Sequence, residues 1–213
     1  MRPVLALLCG AALLGAQDPI QLPAPAPRGT LAEALKARAT VRALAGPAPT
    51  LAETAQLLWA AQGENRPGKR TVPSAKARYP LDLYLVTAGT PGLPAGVYRY
   101  LPAGHALVRV AGGGPAEVLG GLKAMQPWIA AAPAVAVVAA TPRRIDGAGQ
   151  EDAVRLAAYE AGAAAQALLL QAAALELGAG TAVGVDLAAV GQALKLPEGA
   201  RAVALLPIGH RAR

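Results

Sequence analysis

The chain has no phenylalanine, one serine, one cysteine and two histidines, and aromatic residues make up only 3% of its 213 positions. These absences exclude several chemistries. The sole serine, Ser74, has no G-x-S-x-G around it, and His105 and His210 fall on a hairpin turn and at the C-terminal end, so a hydrolytic triad lacks its parts. Two isolated histidines and a single Cys9 offer no ligand spacing for a metal. The acidic residues sit mostly at helix starts, where capping accounts for them, so no catalytic carboxylate pair stands out. With so few aromatics, the core has to be built from Ala, Leu and Val at close range.

Hydrophobic residues amount to 54%, enough for one sizeable core in a single domain. Residues 1–16, "MRPVLALLCGAALLGA", carry one positive charge, an apolar run from Val4 to Leu14 and a small-residue exit, and read as a signal peptide cleaved after Ala16. The run is short for a bilayer span, which takes about 20 residues; an uncleaved membrane anchor is the alternative. Leu8 before Cys9 is not the small residue of a lipoprotein site. Cleavage would leave a cysteine-free protein, exported to a periplasmic or extracellular space, with no disulfide or thiolate chemistry. Residues 17–29 read as an extended Pro-rich linker, and residues 30–213 as the folded domain.

The net charge is +7, which suits an anionic partner. Yet the basic residues come in small groups with little aromatic interleaving, so nucleic acid is not the expected partner. Thr30-x-x-Glu33 and Thr50-x-x-Glu53 are capping boxes that open two helices, one ending near Arg38 and the other near Gly63. Leu31 and Leu35 supply the apolar face of the first. Residues 64–80 read as loop, Leu81–Val86 as a strand, and 97–110 as a hairpin. A helix follows over 115–125, then a buried strand at "AVAVVAA". A long helix of small residues spans about 150–177; it is apolar on nearly all sides, so it should be packed on several, and Gly178 and Gly180 should stop it. A short helix over 186–194 and a buried terminal strand complete an α+β order.

Within this frame "RATVR" places Arg38, Thr40 and Arg42 at alternate positions. If the first helix ends at Arg38, the β-branched pair Thr40-Val41 favours extended backbone, and the three polar side chains share one side. Two guanidinium forks and a hydroxyl suit a phosphate. If the helix continues, Arg38 and Arg42 still form an i,i+4 pair. Taken alone, solvated surface charge explains the pattern more economically.

Taken with "LAETAQLLWAAQG", "RTVPSAKARYPLDLYLV", "GVYRY", "YEAGAAAQALLLQAAALELGAG" and "LLPIGH", the segment resembles the nitroreductase family of FMN-dependent oxidoreductases. The likeness is greatest to the branch that contains the azoline-oxidising dehydrogenases of thiazole/oxazole peptides. The resemblance implies an α+β fold with a central, mostly antiparallel sheet flanked by helices, and an intertwined homodimer with FMN at its interface. It implies that Arg38 and Thr40 meet the phosphate or ribityl chain, and that Arg42 tunes the pyrimidine end of the flavin. Pro73, Ser74, Ala75 and Ala77 would run along the flavin, the Val183 and Gly184 backbone would lie near N5, and Gly209, His210 and Arg211 would complete the phosphate site. Chemistry would be carried by the flavin in two half-reactions, from a donor (NAD(P)H in the family) to a small organic acceptor, with no obligatory side-chain acid, base or nucleophile.

Some residues depart from the pattern. Ala77 stands where many members have Asn, and Lys76 and Arg78 replace small residues, narrowing the pocket or recruiting an acidic substrate. Arg155-Leu156 is the nearest counterpart of the Lys-Tyr pair of azoline-oxidising members, which counts against azolines. Beside the oxidoreductase stand two other readings: a flavin-binding scaffold without turnover, and a basic surface-binding protein.

Overall fold

A computed structural model describes residues 18–26 and 28–212; the segment read as a signal peptide lies outside the described residues. In chain order the elements are β1 (Ile20–Gln21), α1 (Leu31–Ala37), β2 (Leu44–Ala45), α2 (Leu51–Gln62), β3 (Glu64–Arg66) and β4 (Lys69–Arg70). Then come β5 (Leu81–Thr87), β6 (Gly96–Leu101), β7 (Ala106–Ala111), α3 (Pro115–Leu119), α4 (Pro127–Ala130) and β8 (Ala134–Ala140). The chain closes with α5 (Gln150–Ala174), β9 (Gly178–Ala179), α6 (Leu187–Ala193) and β10 (Arg201–Arg211).

The main sheet runs β1-β7-β6-β5-β8-β10-β2, with β9 also on β10, and every pairing between these strands is antiparallel. Side chains alternate across it and make two cores. Leu81, Leu83 and Leu85 of β5 face α2 and α5, while Tyr84 and Val86 face the layer of α3, α4 and α6. In β8 the residues from Ala134 to Ala140 are all buried, because both faces of this central strand are covered. The α+β architecture with a helix-flanked antiparallel sheet is therefore as expected.

Both capping boxes form: Thr30 and Thr50 each accept from the backbone N–H of Glu33 or Glu53 at 3.2 Å, and each glutamate accepts from the threonine N–H at 2.8 Å. Several local expectations change. On α1 it is Ala34 that is buried; Leu31 and Leu35 turn outward, 67% and 55% exposed. The helix expected over 115–125 stops at Leu119, since Gly120-Gly121 follows. Residues 64–70 form a hairpin around Pro67-Gly68, with Gly68 at φ +66°, rather than plain loop. The long helix is stopped by Glu176 in the left-handed region (φ 61°), ahead of both glycines. Nor is it enclosed: Ala157, Ala161, Ala164 and Leu168 are buried on one side, but Tyr159 on the other is 76% exposed.

Residues 18–26 are extended, as their prolines dictate, but they lie on the domain. β1 extends the sheet at β7, Leu22 is buried, and the Gln56 amide donates to the Ala26 carbonyl. His105 is the clasp. Its Nε2 lies 2.9 Å from the Pro23 carbonyl, which can only accept, so Nε2 carries the proton and Nδ1 accepts from the Tyr100 hydroxyl at 2.7 Å. Burial lowers the His105 pKa against a smaller opposing effect of the Pro23 bond. As pH falls below about 6.5, the unfolded chain takes up a proton that the folded site resists. The contribution of the clasp is thus full above that pH and is lost as pH drops through the depressed folded value. We expect the Leu22 N–H, which donates to the His105 carbonyl, to lose hydrogen-exchange protection on acidification from about pH 7.5 to about 5. In His105→Asn, which tolerates the site's φ of 45°, that pH dependence should vanish.

Candidate functional site

α1 ends at Ala37, and Arg38 is its C-cap in extended conformation (φ −62°, ψ 120°). The chain then runs beside β9: Thr40 makes a parallel bridge with Ala179, and the Val41 N–H donates to the Ala179 carbonyl at 2.9 Å. Side chains alternate here as on a strand. Val41 packs towards Gly178, where an added Cβ would lie 2.9 Å from its Cγ1, whereas Thr40 packs towards Gly180. Arg42 shares the Thr40 side, its Cζ 5.6 Å from the Trp128 ring centroid. The continued-helix alternative is excluded.

The C-terminal strand closes the same neighbourhood. His210 and Arg211 pair with Ala45 and Leu44 of β2, and an Arg211 Nη2 donates to the Ala37 carbonyl at 3.5 Å, at the negative end of α1. Gly209 is required by close approach, since a Cβ there would meet Pro133 Cγ at 2.7 Å. Among the described residues the ion pairs involve Arg78, Arg99, Arg144 and Arg155; Arg38, Arg42 and Arg211 have no carboxylate within salt-bridge distance. Cations on neighbouring segments, left without a carboxylate partner, are what an anion site requires.

The second piece is the loop Pro73–Pro80. Lys76, Ala77 and Tyr79 all have positive φ (51°, 55° and 46°), a conformation that costs of the order of 1 kcal/mol or more at each residue. Four contacts hold it. The buried Glu160 carboxylate accepts from the Ala75 N–H at 2.8 Å, and Ser74 Oγ accepts from the Tyr79 N–H at 2.8 Å. Arg78 pairs with Asp146 at 2.6 Å, and the Arg70 guanidinium lies 4.6 Å from the centre of the Tyr79 ring. Arg70 also donates to Gln62 Oε1 at 2.6 Å, and burial lowers its pKa. Strained backbone clamped from all sides marks a site whose shape matters. Pro73 and Ala77 are left exposed, and Ser74 and Ala75 are half-buried.

Within one chain these two pieces are apart. Thr40 lies beside β9, just past the C-terminal end of α5, whereas Ala75 is tied to Glu160, roughly 14 residues or about 20 Å back along the helix. Val183 and Gly184 follow the Ala182–Leu205 bridge and lie open: Val183 is 61% exposed, and no atom comes within 4 Å of a Cβ placed on Gly184. A cavity of about 600 Å³ between α6 and the start of β10 is lined by Leu187, Gly191, Lys195, Leu196 and Arg201, and touches none of these residues. Arg155 sits inside α5, paired with Asp152 on the surface. Four supporting residues were not read from the sequence: Glu160, Arg70, Asp146 and Trp128. Only Glu160 left a signal there, as a carboxylate among the small residues of the buried stripe Ala157-Ala161-Ala164.

Comparison with known proteins places the chain by family and fold. A nitroreductase-family protein of Methanocaldococcus jannaschii is 35% identical over 149 residues, which span 70% of this chain and 75% of the relative. A solved nitroreductase-type structure from Ralstonia eutropha is 29% identical, covers 100% of this chain with 98% of its own, and superposes with a TM-score of 0.79. One from Desulfovibrio desulfuricans, solved in complex with FMN, shares the fold at 18% identity over 88% of this chain and 89% of its own, with a TM-score of 0.61. The Escherichia coli microcin synthetase McbBCD complex contains a chain of the same fold at 21% identity over 80% of this chain and 68% of that one, TM-score 0.68. The sequence model described as "Nitroreductase family" matches residues 35–210, from the end of α1 into the last strand: the chain belongs to the nitroreductase family.

Proposed function

We propose that the protein is an FMN-dependent oxidoreductase that works as a homodimer, passing hydride from a donor to flavin N5 and on to a small organic acceptor in two half-reactions. The observation that carries this reading is the extended run Arg38–Arg42 beside β9, with Arg211 at the Ala37 carbonyl and, among the described residues, no carboxylate paired with Arg38, Arg42 or Arg211, together with the open Gly184 backbone. FMN is a phosphate dianion attached to a ring, and these residues fit both parts. Arg38, Thr40, His210 and Arg211 hold the phosphate and ribityl end; Arg42 provides a cation where negative charge develops on the pyrimidine ring; Val183 and Gly184 offer backbone near N5. When bound, the flavin supplies the redox chemistry, and the chain's own residues bind and orient it.

A second copy completes the site. The strained loop with Pro73, Ser74, Ala75 and Ala77 lies too far along α5 to meet the same flavin from within the chain, and the exposed Leu31, Leu35 and Tyr159 give a partner apolar surface to cover. Lys76 then flanks the pocket and favours an acidic acceptor, while Arg78, already paired with Asp146, narrows it. The N-terminal segment exports the protein, so its donor in the cell need not be NAD(P)H; mass spectrometry of the mature N-terminus tests the export. The function is tested by a visible spectrum of the purified protein and by titration with FMN. Flavin absorbance or tight uptake is expected; a colourless protein that takes up none would overturn the proposal. Bound FMN that dithionite reduces, but no reduced nicotinamide or other organic donor does, would favour the scaffold without turnover.

Arg42→Ala is expected to leave FMN bound but to lower its reduction potential, because the cation that offsets charge on the reduced ring is gone. Potentiometric titration with a reference dye reads this directly.

A further inference from the structure

We propose that Trp128 is a positioning residue for Arg42, holding its guanidinium in place before any flavin arrives. This deepens the reading in which Arg42 faces the flavin's pyrimidine end, and rests on it. α4 is a single turn opened by Pro127, and Ile129 is fully buried in the core between the sheet and α6. The neighbouring Trp128 is half-buried at the edge of that core, with its indole reaching the segment that carries Thr40 and Arg42.

Three contacts fix the indole. Its Nε1–H donates to Gln126 Oε1 at 2.8 Å, which sets the ring's rotation. Its benzo edge closes on Gly180: a Cβ there would meet Trp128 Cη2 at 3.1 Å and Cζ3 at 3.3 Å, with the Thr40 methyl at 3.2 Å. A side chain at 180 would push the indole and Thr40 aside together, so glycine is what lets them share the slot. The third contact is with Arg42 itself, 5.6 Å from guanidinium carbon to ring centroid, within the range of cation–π attraction.

Arg42 is exposed and, among the described residues, paired with no carboxylate, so the indole is the contact that restrains it. A long side chain free in water has many rotamers and loses that freedom when it binds. One already held over a ring loses less, and keeps its charge aimed where it is needed. An aromatic face is the requirement here; apolar bulk alone would fill the slot but hold no cation.

The test compares Trp128→Leu, which keeps bulk without a π face, with Trp128→Phe, which keeps the face, each alone and combined with Arg42→Ala. The reduction potential of bound FMN is measured, with far-UV circular dichroism and Tm as controls for folding. Trp128→Leu should reproduce most of the downward shift of Arg42→Ala, Trp128→Phe should restore most of it, and Trp128→Leu should add nothing once Arg42 is gone. A potential unchanged in Trp128→Leu, or a shift that persists in the Arg42→Ala background, would overturn the proposal. The contact is also read without flavin: in a Trp59→Phe background, Arg42→Ala should change Trp128 emission and anisotropy in the apoprotein. No change there removes the contact and the proposal with it. A change there, with Arg42→Ala lacking any effect on the potential, would instead refute the placement of Arg42 at the flavin, and the positioning role would fall with that placement.

Discussion

Replacing Arg38 with alanine is expected to weaken FMN binding about 10- to 100-fold, the range set by loss of one or two charge-assisted hydrogen bonds to a phosphate dianion. The position favours a clean result. Arg38 caps α1 through its backbone, whose N–H donates to the Ala34 carbonyl at 2.9 Å, and alanine keeps that bond. The lost side chain has no carboxylate partner among the described residues, so its removal leaves no buried charge unpaired. The fold should therefore persist while the phosphate end of the site loses a fork. Arg211, which lies against the Ala37 carbonyl, remains and keeps part of the affinity. Arg38→Lys should fall between, with the charge retained and the planar fork lost. Wild-type affinity should also weaken as salt is raised, and the slope should flatten in Arg38→Ala. An FMN titration with equal dissociation constants for wild type and Arg38→Ala would remove Arg38 from the site.

The parts of this arrangement that were legible in the sequence share a physical origin. Thr30 and Thr50 with their glutamates fix helix starts by local hydrogen bonds, and local bonds can be read from local sequence. The alternation at 38–42 was legible for the same reason, once the helix was seen to stop at Ala37. What could not be read depends on contacts distant in sequence. Leu31 and Leu35 look like a core face until the structure shows Ala34 buried and both leucines outside. The loop at 75–79 adopts positive φ at Lys76, Ala77 and Tyr79, residues with no intrinsic preference for it, because Glu160, Asp146 and Arg70 impose it from elsewhere. Likewise the prolines of residues 18–26 announce an extended backbone but not that it is fastened by His105. The residues proposed for the flavin site were named through family resemblance, since composition and spacing favoured plain surface charge for Arg38 and Arg42.

Glu160 should show the second large effect, and it also tests how the two halves of the site come together. Its carboxylate, only 4% exposed, accepts the Ala75 N–H that opens the strained turn. Glu160→Ala leaves that donor unpaired and a small void in the helix stripe, a loss of about 2–3 kcal/mol, or roughly 5–10 °C in Tm for a domain of this size. Glu160→Gln keeps an acceptor at the same place and should lose less. If the loop flanks the flavin, FMN affinity falls with the loop's order, although Glu160 itself is far from Arg38. The proposed homodimer makes a sharper prediction when Arg38→Ala and Glu160→Ala chains are co-expressed under different tags and the mixed dimer is isolated. A flavin held between the phosphate residues of one protomer and the loop of its partner meets both defects at one site and neither at the other. The mixed dimer should then bind one FMN per dimer with wild-type affinity. A site built within each chain would carry one defect in both copies, and no site of wild-type affinity would appear.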